Sequence, residues 1–107
     1  MRAIIPGLVL ALASLPAVAE TARVAVASNF AGTLEELSAA FEAASDHEVR
    51  MSTGSTGKHY AQIRNGAPFD LFLAADSRRP RLLEEEGHAV AGSRFTYARG
   101  RIVLYSP

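Results

Sequence analysis

The chain has 107 residues, with eleven Lys/Arg balancing eleven Asp/Glu, no cysteine and no tryptophan. Disulfide staples and thiolate metal sites are therefore excluded, and the balanced charge gives no electrostatic footprint for nucleic acid or an anionic membrane surface. This length allows one ordinary core.

Residues 1–19, MRAIIPGLVLALASLPAVA, carry one early charge, Arg2. An apolar run follows from Ile4 to Leu15, then a small-x-small triplet, Ala17-Val18-Ala19. That is the anatomy of a secretory signal peptide whose apolar core is too short to span a bilayer. Pro6 and Pro16 argue against a buried N-terminal helix. Cleavage after Ala19 leaves 88 of the 107 residues, 20–107, with ten Lys/Arg against eleven Asp/Glu. An exported chain without cysteine is compatible with a bacterial periplasm.

The continuous apolar run at 23–28, RVAVAS, predicts a strand buried on both faces. A helix is expected from Thr33, with Thr33 and Glu36 as a capping box and Leu34, Leu37, Phe41 and Ala44 on one apolar face. A second strand is expected at 48–53, placing Val49 and Met51 on the same side. A short helix follows over about 57–65, ended by Asn65-Gly66 and Pro68. The run 69–76, FDLFLAAD, is the strongest strand signal; 78–87 reads as a helix with Pro80 in its first turn and Gly87 as its stop. Two β-type runs, 94–98 and 101–105, close the chain. Alternation of strand and helix predicts an α/β fold, a parallel sheet with crossover helices. Because the chain stops straight after a strand, it reads as the N-terminal part of a larger domain.

The stretch 52–58, STGSTGK, admits three chemistries. A phosphate loop, G-x-x-x-x-G-K-[ST], fails at two required places, since Ser52 and His59 stand where Gly and Ser/Thr are needed. A serine nucleophile remains open: Ser55-Thr56-Gly57-Lys58 fits S-x-x-K, although the companion S-D-N and K-T-G elements are absent. The third chemistry is anion binding by uncharged donors. Ligands of a parallel α/β sheet sit beyond the carboxyl ends of the strands, where helices begin. Ser28 and Asn29 end the first strand; Ser55, Thr56 and Gly57 open the second helix. Hydroxyls, an amide and unpaired helix-start N–H groups can ring a dehydrated oxyanion there, assisted by the helix dipole. Taken singly, each of these residues also suits a helix cap.

The stretches VAVASNFAGTLEELSAAFEAAS, STGSTGKHYAQIRNGAPFDLFLAAD, RPRLLEEEG and GSRFTYARGRIVLYSP together resemble the periplasmic molybdate-binding proteins, the substrate-binding components of ABC importers. The resemblance covers residues 23–107. It implies a lobe of the periplasmic-binding-protein type II kind, with a second lobe not found in this chain. The ligand would be molybdate or tungstate, with no further cofactor and no catalysis, and the protein, a monomer, would deliver it to a membrane permease. Ser28 with Asn29, and Thr56 with Ser55 and Gly57, match the family's oxyanion positions. Ser28 and Thr56 are expected to touch the oxide oxygens and not the metal. Sulfate and phosphate remain open as alternative oxyanions, and a hydrolase using Ser55 and Lys58 as the alternative class. Asp76 is expected to cap a helix, because an acid beside a dianion would repel it. His47, His59 and His88, having no metal-ligand spacing, are expected to be solvated, while Tyr60 and Ile63 are expected in the core. The basic cluster Arg78-Arg79-Arg81 is short and neighbours Glu84-Glu85-Glu86, so it does not argue for nucleic acid.

Overall fold

A computed structural model of the chain describes residues 18–107. The export-signal expectation at 1–19 lies almost wholly outside them. Among the described residues, three strands form one sheet: β1 (Thr21–Ala27), β2 (Glu48–Gly54) and β3 (Leu71–Leu73), in the order β2-β1-β3, with β1 parallel to both neighbours. Helices α1 (Ala31–Ala44) and α2 (Thr56–Arg64) provide the connections, and α3 (Arg78–Glu85) follows β3. A single 3-10 turn, Ser28–Phe30, joins β1 to α1.

The central strand explains the unbroken apolar run. Val24, Ala25, Val26 and Ala27 are all buried, because a middle strand is covered on both faces. Its register with β2 runs from Thr21 opposite Glu48 to Ala27 opposite Gly54. The two strands therefore end level. The pairing with β3 spans only Val24–Leu71 to Val26–Leu73, extended by the Asp70 amide donating to the Arg23 carbonyl at 2.8 Å. β3 is thus much shorter than the 69–76 run predicts: its ladder with β1 stops at Leu73, beyond which the Ala75 amide turns to Thr56 Oγ1. Glycines end the two later helices as expected: Gly66 at φ +92° and Gly87 at φ +79° adopt the left-handed conformation that a side chain disfavours.

Four expectations are corrected. Helix α1 starts at Ala31 and not at Thr33, with no side-chain cap; the 3-10 turn runs directly into it, and the Ala31 amide donates to the Ser28 carbonyl. The Thr33–Glu36 box is therefore not formed. The apolar face of α1 is only partly used: Ser38 is the buried residue, its hydroxyl 3.9 Å from Met51 Sδ, whereas Leu37 and Phe41 remain 56% and 47% exposed. Phe41 stacks on His47 instead, with ring centroids 6.2 Å apart. Tyr60 and Ile63 are half-buried, not core; Tyr60 donates its hydroxyl to Glu86 Oε1 at 2.9 Å across α2 and α3. The C-terminal runs 94–98 and 101–105 have no regular secondary structure, and Ile102, Val103, Leu104 and Tyr105 are exposed. Their composition is right for strands, but β propensity expresses itself only against a neighbouring strand and a surface to pack on.

Two side chains of the 94–98 run make specific contacts: Arg94 pairs with Glu84 of α3 at 3.7 Å, and Tyr97 reaches the strand ends. Tyr97 donates to the Ala74 carbonyl at 3.0 Å and meets Phe30 edge-on at a centroid distance of 5.0 Å, so residue 97 lies over the carboxyl ends of β1 and β3. Burial raises the Tyr97 phenol above its ordinary value. Among the described residues, no helix is long and apolar enough to cross a membrane.

Candidate functional site

The level ending of β1 and β2 places Ser28 and Ser55 each one residue beyond a register pair, Ala27 opposite Gly54. Adjacent strands lie about 4.8 Å apart, so both polar clusters open onto one rim of the sheet. From β1 come Ser28 and Asn29, both exposed and both inside the 3-10 turn. From the β2–α2 junction come Ser55, Thr56 and Gly57.

Local chemistry determines what each group has left to offer. Ser55 is the N-cap of α2: its Oγ accepts the Lys58 amide at 3.1 Å, and its carbonyl accepts the His59 amide at 3.1 Å. The amides of Thr56 and Gly57 are then the ones at this start that the helix itself does not use. Thr56 is only 8% exposed, and its Oγ1 accepts the Ala75 amide at 3.0 Å, tying α2 to the end of β3. A hydroxyl that accepts still has its proton to donate, and this holds for both Ser55 and Thr56. With Ser28 and Asn29, the rim carries hydroxyl, carboxamide and main-chain N–H donors, and the positive end of α2 points at it. A Cβ on Gly57 would lie 3.5 Å from Arg79 Nη2, so one guanidinium flanks the start of α2.

That guanidinium is balanced. Asp76 Oδ2 receives Arg79 Nη1 at 2.6 Å, while Oδ1 accepts the Arg79 amide at 3.0 Å. Partial burial pushes the Asp76 carboxyl up, but the amide and guanidinium of Arg79 outweigh this and hold it below the usual carboxylate value. Asp76 thus stands one residue before Ser77, the N-cap of α3, and its carboxylate, not the serine hydroxyl, accepts a first-turn amide.

The S-x-x-K reading obtains no support from this geometry. Ser55 meets Lys58 through the main-chain amide, and among the described residues no hydrogen bond joins its hydroxyl to the lysine side chain. Nor do the described residues bring together three His, Cys, Asp or Glu side chains that could hold a metal ion. An open groove of about 700 Å³ between β3, α3 and the segment after α3 is lined by Phe69, Leu73, Leu83, Val90 and Phe95. Asp70, Asp76 and Glu84 also line it and would repel a bare anion, and none of Ser28, Asn29, Ser55, Thr56 or Gly57 lines it.

The histidine expectation is corrected at one position. His47 and His88 are exposed, but His59 is 2% exposed, among the most buried side chains described. Its Nε2 lies 3.1 Å from the Val26 carbonyl and its Nδ1 3.2 Å from the Gln62 carboxamide, with Phe69 and Phe72 edge-on at 5.9 and 6.2 Å. Helical spacing alone placed it on a surface. The available signal was Gly54, which leaves room for the ring: a Cβ there would come within 3.2 Å of Nε2.

A parallel α/β lobe with polar groups at the carboxyl ends of its strands has the architecture of a ligand-binding domain. Residues 22–107 match the family of bacterial extracellular solute-binding proteins, and the chain belongs to it. It is 50% identical over 95 residues to the molybdate-binding protein ModA of Azotobacter vinelandii, covering 89% of this chain and 38% of that protein. It is 48% identical to ModA of Rhodobacter capsulatus, covering 92% of this chain and 39% of that protein. The chain thus spans well under half the length of these relatives. The solved periplasmic molybdate-binding protein of A. vinelandii superposes with a TM-score of 0.69 at 49% identity, over 71% of this chain and 33% of that one. A substrate-binding domain of a putative molybdenum ABC transporter from Clostridium difficile shares the fold, with a TM-score of 0.61 at 22% identity. The relatives are binding proteins.

Proposed function

We propose that this protein is an exported solute-binding protein that captures molybdate, or its near-isostere tungstate, and delivers it to the membrane permease of an ABC importer. It acts in the periplasm as a monomer, without catalysis and without a cofactor. The observation that carries this reading is the common rim: Ser28 and Asn29 follow β1 at the level where Ser55, Thr56 and Gly57 follow β2. The relatives named for molybdate supply the choice of anion.

Physically, a tetrahedral dianion that sheds its water must recover hydrogen bonds for every oxygen. Ser28 and Thr56 would donate hydroxyl protons to oxide oxygens, with no bond to the metal. Ser55 Oγ–H, the Asn29 carboxamide and the Thr56 and Gly57 amides complete this side of the shell. Neutral donors at the positive end of a helix bind the dianion without a formal countercharge, and they leave its release unopposed by a salt bridge. Discrimination then rests on the spacing of the donors, which suits one oxyanion size.

The test is calorimetric titration of the full-length protein with molybdate, tungstate, sulfate and phosphate. Saturable binding of molybdate and tungstate, at least tenfold tighter than of the other two, is the expected result. Preferential binding of sulfate or phosphate would reassign the ligand, and ester turnover lost in S55A would replace binding with hydrolysis.

A further inference from the structure

We infer that His59 is a positioning residue for the oxyanion rim: it locks the first turn of α2 to the strand end that carries Ser28. This rests on the proposed binding reading and extends it to a side chain that touches no ligand.

A carbonyl oxygen can only accept, so the contact between His59 Nε2 and the Val26 oxygen at 3.1 Å requires the ring proton on Nε2. Val26 is two residues before Ser28, and His59 is three residues after Thr56. One buried hydrogen bond thus spans the two polar clusters from behind. The ring also meets all three strands: Val26 of β1, Gly54 of β2, over whose missing Cβ the imidazole lies, and Phe72 of β3. Gln62 Oε1 lies 3.2 Å from Nδ1, one turn further along α2; with the ring proton on Nε2, Nδ1 accepts, so Gln62 bonds it with the carboxamide turned to present its NH2. The remaining tie, Thr56 Oγ1 to the Ala75 amide, fastens α2 to the β3 side only. Without the imidazole bond, no described side-chain hydrogen bond joins α2 to β1; the β1–β2 register still sets where the two strands end, but the first turn of α2 loses its direct tie to the strand that carries Ser28. The spacing between Ser28 and Thr56 is the quantity on which an oxyanion cradle depends.

Two variants separate the bond from the ring. H59F keeps an aromatic ring between Phe69 and Phe72 but cannot donate to Val26; H59Q loses the ring but can place an amide N–H where Nε2 stands. Titrating the folded full-length variants with sodium molybdate, we expect H59F to bind about tenfold more weakly than the parent, the scale of one unsatisfied buried group. H59Q should recover binding to within about threefold, a rescue that general destabilisation does not produce. If H59F does not fold, H59Q and H59M make the same comparison between flexible side chains with and without the donor. Equal affinities within either pair, in a protein whose parent binds molybdate, would overturn the positioning role. A parent that fails to bind molybdate would instead overturn the functional reading itself.

Discussion

Thr56 Oγ1 accepts the Ala75 amide at 3.0 Å, so the hydroxyl that opens α2 is held by the end of β3 before any ligand arrives. Thr56→Val removes the acceptor from a nearly buried position. It should cost about 1–3 kcal/mol of stability in urea denaturation, because the Ala75 amide loses its partner. Thr56→Ser keeps the oxygen and should retain most of the affinity that Thr56→Val loses in a molybdate titration.

Charge is secondary if neutral donors hold the ligand. Ser28→Ala should weaken molybdate binding by about 1–3 kcal/mol, and Lys58→Ala, at an exposed position on α2, by well under about 1 kcal/mol. Calorimetry on the two single variants checks the order. The reverse ranking would assign the ligand to the lysine.

Asp76 provides the pH dependence. Its carboxyl is held below the ordinary carboxylate value in the folded chain, so its contribution is present above the unfolded carboxylate pKa and is lost as pH falls through the lowered folded one. Melting temperatures of wild type and Asp76→Asn should therefore differ at neutral pH, with the variant less stable. They should converge in acid, below both values. A difference that persists there would show that Asp76 acts through shape and not through charge.

Gly54 is set by the ring beneath it. An added Cβ would lie 3.2 Å from His59 Nε2 and 3.3 Å from Cε1, tighter than an ordinary contact, and the buried ring has little freedom to retreat. Gly54→Ala should cost about 1–3 kcal/mol by thermal or urea unfolding, the usual scale of overpacking. Gly32→Ala, where nothing lies within 4 Å of the added carbon, is the control and should be neutral or slightly stabilising.

Much of the fold was legible because its signals are local. The run through Val24 to Ala27 announced a strand covered on both faces, and Asn65-Gly66 and Gly87 announced the ends of α2 and α3. The misreadings came where one segment's fate depends on another. Thr33 had the right partner for a capping box, but a 3-10 turn from Ser28 began the helix earlier. FDLFLAAD was apolar enough for a long strand, yet β3 keeps three residues, and the Ala75 amide beyond it goes to Thr56 Oγ1. Residues 101–105 have the right side chains for a strand and no described neighbour to pair with.

The candidate site divides in the same way. That Ser28 and Asn29 follow one strand, that Ser55 opens a helix, and that this helix's first amides are free could be read from the residues alone, because strand ends and caps are properties of a few consecutive residues. Chain packing alone makes the two ends level, ties Thr56 to Ala75 and turns His59 inward to Val26. Register and burial are relations between residues 19 to 33 positions apart along the chain, and no local pattern encodes them.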